Sequence, residues 1–322
     1  MTDNYQLELI KQTLSNYPVG DVLSAQYLTQ GYANENLLVI TSKQKVLYRI
    51  CHQQPLDLLQ YEVKLMAYLK KNEINTAYPL SDNNGEYIQP SDHGYVMIYE
   101  FIVGTEPALN AATATQIGNE IGQINVLEVP SDLSKENAIN LESCKQLIES
   151  FKSCPNQLPE IFEYFAVQTD YLDKELDDSL PSGIVHGDIF PNNTIFEQDR
   201  LLAIIDFEEA CIDQLLFDVG MTINGFCFVN NALQPNLLKQ FLIAYQTKRK
   251  LTNSEWPKLS VYMQWCSHGM LSWHLKNDLL NSHNEVQKNR VVELMERTQW
   301  MRQHSALISE IAEEVRNMSS HN

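Results

Sequence analysis

Between residues 184 and 207 the chain reads Ile-Val-His186-Gly187-Asp188-Ile-Phe-Pro-Asn-Asn193-Thr-Ile-Phe, then a short turn, then Leu-Leu-Ala-Ile-Ile-Asp206-Phe207. A carboxylate at Asp188 accepts or orients the proton of an attacking hydroxyl. An amide at Asn193 and a carboxylate at Asp206 supply hard oxygen ligands for magnesium on ATP phosphates. These residue types at these spacings meet the needs of phosphoryl transfer. His186 reads as a brace for the loop through hydrogen bonds rather than as a group that does the chemistry. An isolated His-Gly-Asp recurs by chance in ordinary polar turns. What lifts this one is an Asp-Phe that closes a strong β run downstream of a loop asparagine.

The elements that must position these groups follow from the pattern. Ile184-Val185 and Thr194-Ile195-Phe196 flank the polar loop, and Leu201 to Ile205 forms a further apolar run after Gln198-Asp199-Arg200. Strand, loop, hairpin and strand are therefore expected in that order, with Asp188 and Asn193 on the loop and Asp206 at the end of the last strand.

The segment resembles the catalytic loop of the aminoglycoside phosphotransferase and choline kinase superfamily, small-molecule relatives of the protein kinases. Within it, the chain is most similar to type II homoserine kinases. That narrower resemblance rests on His186-Gly-Asp-Ile-Phe-Pro-Asn-Asn193, on Ile205-Asp-Phe-Glu-Glu-Ala-Cys211, and on Leu216-Phe-Asp218-Val-Gly-Met-Thr-Ile-Asn224-Gly-Phe-Cys227. It implies an α+β, two-lobed, protein-kinase-like fold, with a β-rich nucleotide-binding lobe over residues 1–101 and a mostly helical catalytic and substrate lobe over 102–322. It also implies ATP and Mg2+ as cofactors.

Composition agrees. A chain of 322 residues with 44% hydrophobic content buries a large core and suits two lobes in one polypeptide. A net charge of −18 argues against nucleic acid and against an anionic membrane surface. It does not choose the substrate, since an acidic surface is usually just solvated. No stretch approaches the roughly 18 apolar residues of a spanning helix, and the start lacks a signal sequence, so a cytoplasmic location is expected. Six cysteines at 51, 144, 154, 211, 227 and 266 form no Cys-x-x-Cys pair and read as free buried thiols.

In the first lobe, residues 5–16 read as an amphipathic helix and Ala25 to Ile50 as strands. Gly31-Tyr-Ala-Asn34 is a polar turn between two of them, either an ordinary β-turn or, as the resemblance implies for Gly31 and Asn34, a hairpin closing over phosphates. On the strand 45–50, Arg49 stands where kinases carry the lysine that contacts the α- and β-phosphates, and it keeps the charge. Lys45, at the strand's start, is the weaker alternative. In a helix from 55 to 71, Glu62 falls on or beside the apolar face. It is expected to pair with Arg49, the other reading being a solvated stripe edge. Val96 to Gly104 reads as a buried strand running into a turn, where the backbone around Glu100 to Ile102 would bind adenine.

In the second lobe a helix begins at Ala111, and 131–182 reads as helices interrupted at Cys154-Pro155 and Leu158-Pro159. Asp218, ahead of an apolar helix at 219–228, either caps that helix or, as the resemblance implies, braces the catalytic loop. Asp213 reads as an exposed loop acid. Residues 256–276 hold Trp256, Tyr262, Trp265, His268, Trp273 and His274 on one helix. Such aromatics are more often core than ligand-binding, but the resemblance would put this helix near the substrate. His268 and Trp273 stand roughly where homoserine kinases carry arginines, and a Trp-lined site would instead suit choline through cation–π contacts. Glu208 resembles a residue of choline kinase-like enzymes and is a further substrate candidate. Homoserine is the expected acceptor, with choline, ethanolamine or an aminoglycoside as alternatives. A nucleotide-binding pseudokinase is the alternative from a different class.

Overall fold

A computed structural model describes residues 4–28, 34–52, 54–92, 94–153, 159–276 and 285–319. The chain divides into two compact units, Met1–Thr105 with Leu202–Glu208, and Glu106–Leu201 with Glu209–Asn322. The first unit's continuous stretch ends at Thr105. The stretch that carries Asp206 belongs to the first unit although its sequence neighbours belong to the second.

The first unit is a sheet with helices. After α1 (Asn4–Leu14) come β1 (Val22–Tyr27), β2 (Glu35–Thr41), β3 (Lys45–Cys51), α2 (Leu56–Lys71), β4 (Pro79–Leu80), β5 (Ile88–Ser91) and β6 (Gly94–Glu100). The antiparallel order is β1-β2-β3-β6-β4, with β5 also paired to β6. Period-two alternation explains the two faces. Leu37, Val39, Val46 and Tyr48 meet Ile10 and Leu14 of α1 on one side, while Cys51, Met97 and Tyr99 pack with Leu59 of α2 on the other. Pro55 sits at the start of α2, where its missing N–H costs nothing. The Leu202–Glu208 stretch joins this unit through a hydrogen bond from the Ile204 N–H to the Asn75 carbonyl, 2.9 Å.

The second unit is mostly helical. It contains α3 (Ala111–Ile124), α4 (Leu141–Ser153), α5 (Pro159–Glu175), α6 (Leu215–Phe226), α7 (Pro235–Lys248), α8 (Leu259–His274), α9 (Glu285–Gln303) and α10 (Ser305–Ser319). Its short strands are β7 (Ser182–Val185), β8 (Thr194–Glu197), β10 (Cys211–Gln214), β11 (Phe228–Val229) and β12 (Ala232–Leu233). β9 (Arg200–Ile204) carries the chain back to the first unit. Asn110 caps α3 in a reciprocal box with Thr113. Every residue of α6 is buried, and at Gly220 an added Cβ would lie 2.8 Å from the Tyr262 carbonyl, so glycine is what lets α8 come this close.

The apolar helix expected at 219–228 begins four residues earlier, at Leu215, because β10 runs straight into it with no glycine or proline between. Asp218 is therefore inside the first turn and is not its cap. Asp213 lies in β10, half-buried, and accepts a hydrogen bond from Asn137 Nδ2 at 2.6 Å, which corrects its reading as an exposed loop acid. Cys51, Cys144, Cys211, Cys227 and Cys266 are free and buried, and Cys154 lies outside the described residues. No described helix is long and apolar enough to cross a membrane.

Candidate active site

In the second unit the loop after β7 is built around one buried carboxylate. Asp218, fully buried on α6, accepts the His186 N–H at 3.0 Å from both of its oxygens and the Gly187 N–H at 3.1 Å. Asn125, the residue that ends α3, donates its Nδ2 to Asp218 Oδ2 at 3.2 Å and to the Ile184 carbonyl at 3.2 Å. Tyr245 then donates its hydroxyl to Asn125 Oδ1 at 2.9 Å, and Arg249, paired with buried Glu255 at 2.9 Å, donates to the Tyr245 oxygen at 3.1 Å. A continuous buried polar network thus runs from α7 to the loop. Burial pushes the Asp218 carboxyl up to about 6, against the lowering effect of the donated hydrogen bonds.

The loop turns at Gly187, whose φ of 84° is one that side chains rarely adopt and where a Cβ would lie 3.1 Å from the Glu209 carbonyl. The Asp188 N–H is donated to His186 Nδ1 at 3.2 Å, so the buried imidazole holds the backbone beside Asp188. Asn193 Nδ2 donates to the Asp188 carbonyl at 2.8 Å and to Asp188 Oδ2 at 2.7 Å. With its nitrogen spent on Asp188, the Asn193 amide has its oxygen facing other partners: it accepts Asn192 Nδ2 at 3.3 Å and keeps a second lone pair of the kind a hard metal takes. Asp188 is half-buried, with one carboxylate oxygen oriented by this bond.

In the first unit Arg49 lies among three carboxylates. Its NH1 is 3.6 Å from Glu62 Oε1, and its NH2 is 3.2 Å from Asp206 Oδ1 and also donates to Glu208 Oε2. Glu62 accepts the Tyr99 hydroxyl as well, at 2.7 Å. Asn34 Nδ2 and Gln54 Nε2 donate to the same Glu208 oxygen at 2.8 and 3.0 Å. Burial opposes the guanidinium's charge, but Glu62 and Asp206 outweigh it and hold Arg49 protonated. Burial, with Asp206 adding to it, pushes the Glu208 carboxyl up to about 7. Asp206 has a φ of 68°, left-handed backbone in a non-glycine residue, the kind of outlier that collects at functional sites. Its side chain is 39% exposed, so this carboxylate is open to a ligand in a way that Glu62 is not.

The residues singled out from sequence thus gather in two places. Asn34, Arg49, Glu62, Asp206 and Glu208 meet in the first unit, and His186, Asp188, Asn193 and Asp218 meet in the second. Lys45 stays exposed at the start of β3, away from Glu62's partner. Glu100 ends β6 with its N–H donated to the Tyr78 carbonyl at 3.1 Å, and Ile102 follows it half-buried outside any strand. Gly31 lies outside the described residues. His268 is enclosed, stacked on Phe165 with 4.4 Å between ring centroids and with Nε2 at 2.9 Å from the Thr169 hydroxyl. Burial lowers its pKa to about 3. As a substrate contact His268 is therefore corrected to a neutral core residue, because its ring is consumed by the packing of α8 on α5. Trp273 is half-buried and meets His274 edge-on. Sequence reasoning missed Asn125, Tyr245 and Gln54. Only Gln54 had a visible signal, a polar residue just ahead of a helix-starting proline.

Residues 24–262 match the phosphotransferase enzyme family. The homoserine kinase of Nitrobacter winogradskyi is 27% identical over 252 residues, 77% of each chain. That of Bradyrhizobium diazoefficiens is 28% identical over 247 residues, 75% of this chain and 76% of its own. Among solved structures, an amicoumacin kinase in complex with AMP-PNP, Ca2+ and its antibiotic superposes with a TM-score of 0.73 at 13% identity, covering 92% of this chain and 93% of that one. A microcompartment-associated aminopropanol kinase superposes with a TM-score of 0.73 at 14% identity, covering 93% and 98%. A spectinomycin phosphotransferase in complex with ADP and spectinomycin gives 0.67 at 16%, covering 96% and 98%. With the α+β fold of these kinases and a family match across most of its length, the chain belongs to the phosphotransferase enzyme family and is a kinase of small-molecule hydroxyl groups.

Proposed function

We propose that the chain is an ATP- and magnesium-dependent homoserine kinase. The observation that carries the catalytic part is the Asn193 amide, whose nitrogen orients the Asp188 carboxylate at 2.7 Å while its oxygen, which accepts Asn192 Nδ2, keeps a lone pair for a cation. Asp188 orients the acceptor hydroxyl and takes its proton as the phosphoryl group is transferred. Asn193 and Asp206 would hold magnesium, which would supply positive charge against the charge that develops on the transferring phosphoryl group. Arg49 and Asn34 contact nucleotide phosphates, Glu62 holds Arg49 in place, and the backbone from Glu100 to Ile102 takes the adenine. Catalysis rests on positioning and charge neutralisation, with no covalent intermediate. His186 and Asp218 act by holding the loop.

Homoserine is favoured by the curated relatives, which match over about three quarters of both chains. Tyr262 and Trp265 are buried, while Trp273, the residue behind the choline alternative, is half-buried, and choline stays the second reading. An enzyme of this kind works in the cytoplasm.

The test is a coupled ATP-consumption assay with homoserine, choline, ethanolamine and an aminoglycoside in parallel, with Asp188→Asn as the blank. Turnover with homoserine alone is expected. Turnover with an amino alcohol or an aminoglycoside and none with homoserine overturns the substrate assignment and leaves the kinase chemistry standing.

A further inference from the structure

Three side-chain donors from separate parts of the first unit converge on one carboxylate oxygen. Asn34 lies just ahead of β2, Arg49 is in β3, and Gln54 is in the loop before α2. All three point at Glu208 Oε2. Two of them, Asn34 and Arg49, are the residues given to nucleotide phosphates above, and Gln54 has no role so far. Convergence of three N–H groups on one anionic oxygen is what a phosphate oxygen needs. Here a carboxylate of the chain itself fills that place.

Negative charge is in excess around Glu208. Asp206 and Glu62 face the same guanidinium, so one positive charge is shared by three carboxylates. Spare hydrogen-bonding capacity remains as well. Arg49 is 6% exposed, yet among the described residues its Nε–H has no acceptor and Gln54 Oε1 has no donor. Native sites seldom leave such atoms orphaned unless something else completes them. Tyr99 and Cys51 also border the guanidinium, and burial keeps both in their neutral forms.

We propose that Gln54, Asn34 and Arg49 form a three-donor cradle for a phosphate oxygen of the nucleotide, and that Glu208 is an internal anion occupying the cradle until the nucleotide displaces it. Gln54 is then a binding residue, and Glu208 sets how much of the nucleotide's affinity is realised. The inference rests on the nucleotide reading of the preceding section. All three donors meet at the single point that Glu208 Oε2 fills, so a phosphate oxygen reaches that point only when Glu208 leaves it.

The experiment is isothermal titration calorimetry of ATP with magnesium, and separately of adenosine, into the full chain and its Gln54→Ala and Glu208→Gln variants. In Gln54→Ala, ATP binding is expected to weaken about fivefold to tenfold, the loss of one hydrogen bond to a charged group. In Glu208→Gln, ATP is expected to bind about tenfold more tightly, because a neutral amide competes less well for Arg49. Adenosine, with no phosphate, should bind all three proteins alike, which a merely folding-related effect would not produce. Unchanged ATP affinity in both variants overturns the cradle. Weaker ATP binding in Glu208→Gln overturns the displacement, because Glu208 would then support the bound nucleotide. Equal losses for ATP and adenosine assign Gln54 to folding and also overturn it. A wild-type chain that binds no ATP overturns the nucleotide reading itself, and the cradle with it.

Discussion

The two polar clusters of this kinase are built on opposite principles. Around Asp218 a single buried carboxylate is surrounded by donors, two of them backbone N–H groups, and the chain of bonds through Asn125, Tyr245, Arg249 and Glu255 anchors it to α7. Around Arg49 a single buried cation is surrounded by carboxylates and held only by side chains, with orphaned atoms left over. The first arrangement is closed and rigid, suited to fixing the Asp188 backbone before any ligand arrives. The second carries excess negative charge and unused bonding capacity, and suits partners that are exchanged.

The contrast is tested most severely at the loop. Asp188→Asn is expected to lower kcat by about 10²- to 10⁴-fold, the range for removing a positioned general base. The unfolding midpoint should hold, since the amide still meets Asn193. Near-normal turnover in a steady-state assay removes Asp188 from its assigned role.

Asp218→Ala leaves two loop N–H groups and Asn125 without their acceptor. About 3 kcal/mol of stability should be lost in urea denaturation, together with most of kcat. If Asp218→Ala unfolds no more easily than the wild type, the rigid cluster is not rigid. Tyr245→Phe removes one link from the middle of the same chain and is expected to cost about 1–2 kcal/mol. It should lower kcat several-fold and leave the nucleotide KM alone. A raised nucleotide KM instead would mean that the two clusters are not separable.

A further sharpening comes from pH. Asp218 titrates at about 6 in the fold, above the roughly 3.9 of an unfolded aspartate. Between those values the folded chain keeps a proton that the unfolded chain releases, so this group's contribution to stability falls as pH rises from about 4 to 6 and is level above. His268 runs the other way. Its folded value near 3 lies below the unfolded value of about 6.5, so the unfolded chain takes up the proton first and stability is lost as pH falls below about 6.5. Each group alone would give a slope of at most about 1.4 kcal/mol per pH unit, and in the window between 4 and 6 the two oppose each other. Asp218→Asn should therefore make acid destabilisation steeper and His268→Gln should make it shallower, as read by urea unfolding at pH 5 and 7. Parallel curves for all three proteins refute the opposed contributions.

Much of the fold was legible because it rests on short-range pattern. The apolar, β-branched-rich runs from Leu37 to Ile40 and from Val46 to Ile50 mark β2 and β3, and Pro55 with the Leu59, Leu65 and Leu69 spacing marks α2. Asp188, Asn193 and Asp206 stood out because they fall on one loop-hairpin-strand segment, where spacing along the chain constrains spacing in space. Asn125, Tyr245 and Arg249 did not stand out. They reach Asp218 from α3 and α7, and nothing local to an asparagine at a helix end or a tyrosine on a helix face says which buried carboxylate it will serve. His268 misled for the same reason. A histidine in an aromatic helix looks alike whether it faces a ligand or, as here, Phe165 and Thr169.

By itself, then, the sequence determined most of the strands and helices, the candidate catalytic motif and the family, because hydrophobic period and motif spacing act over a few residues. Only the tertiary structure decided which polar groups are buried together. It drew Asp206 and Glu208 into the first unit, gave Glu208 to Arg49, Asn34 and Gln54, and closed the network behind Asp218. Burying a charge is costly unless donors converge on it, and the partners that pack against it come from parts of the chain far apart in sequence.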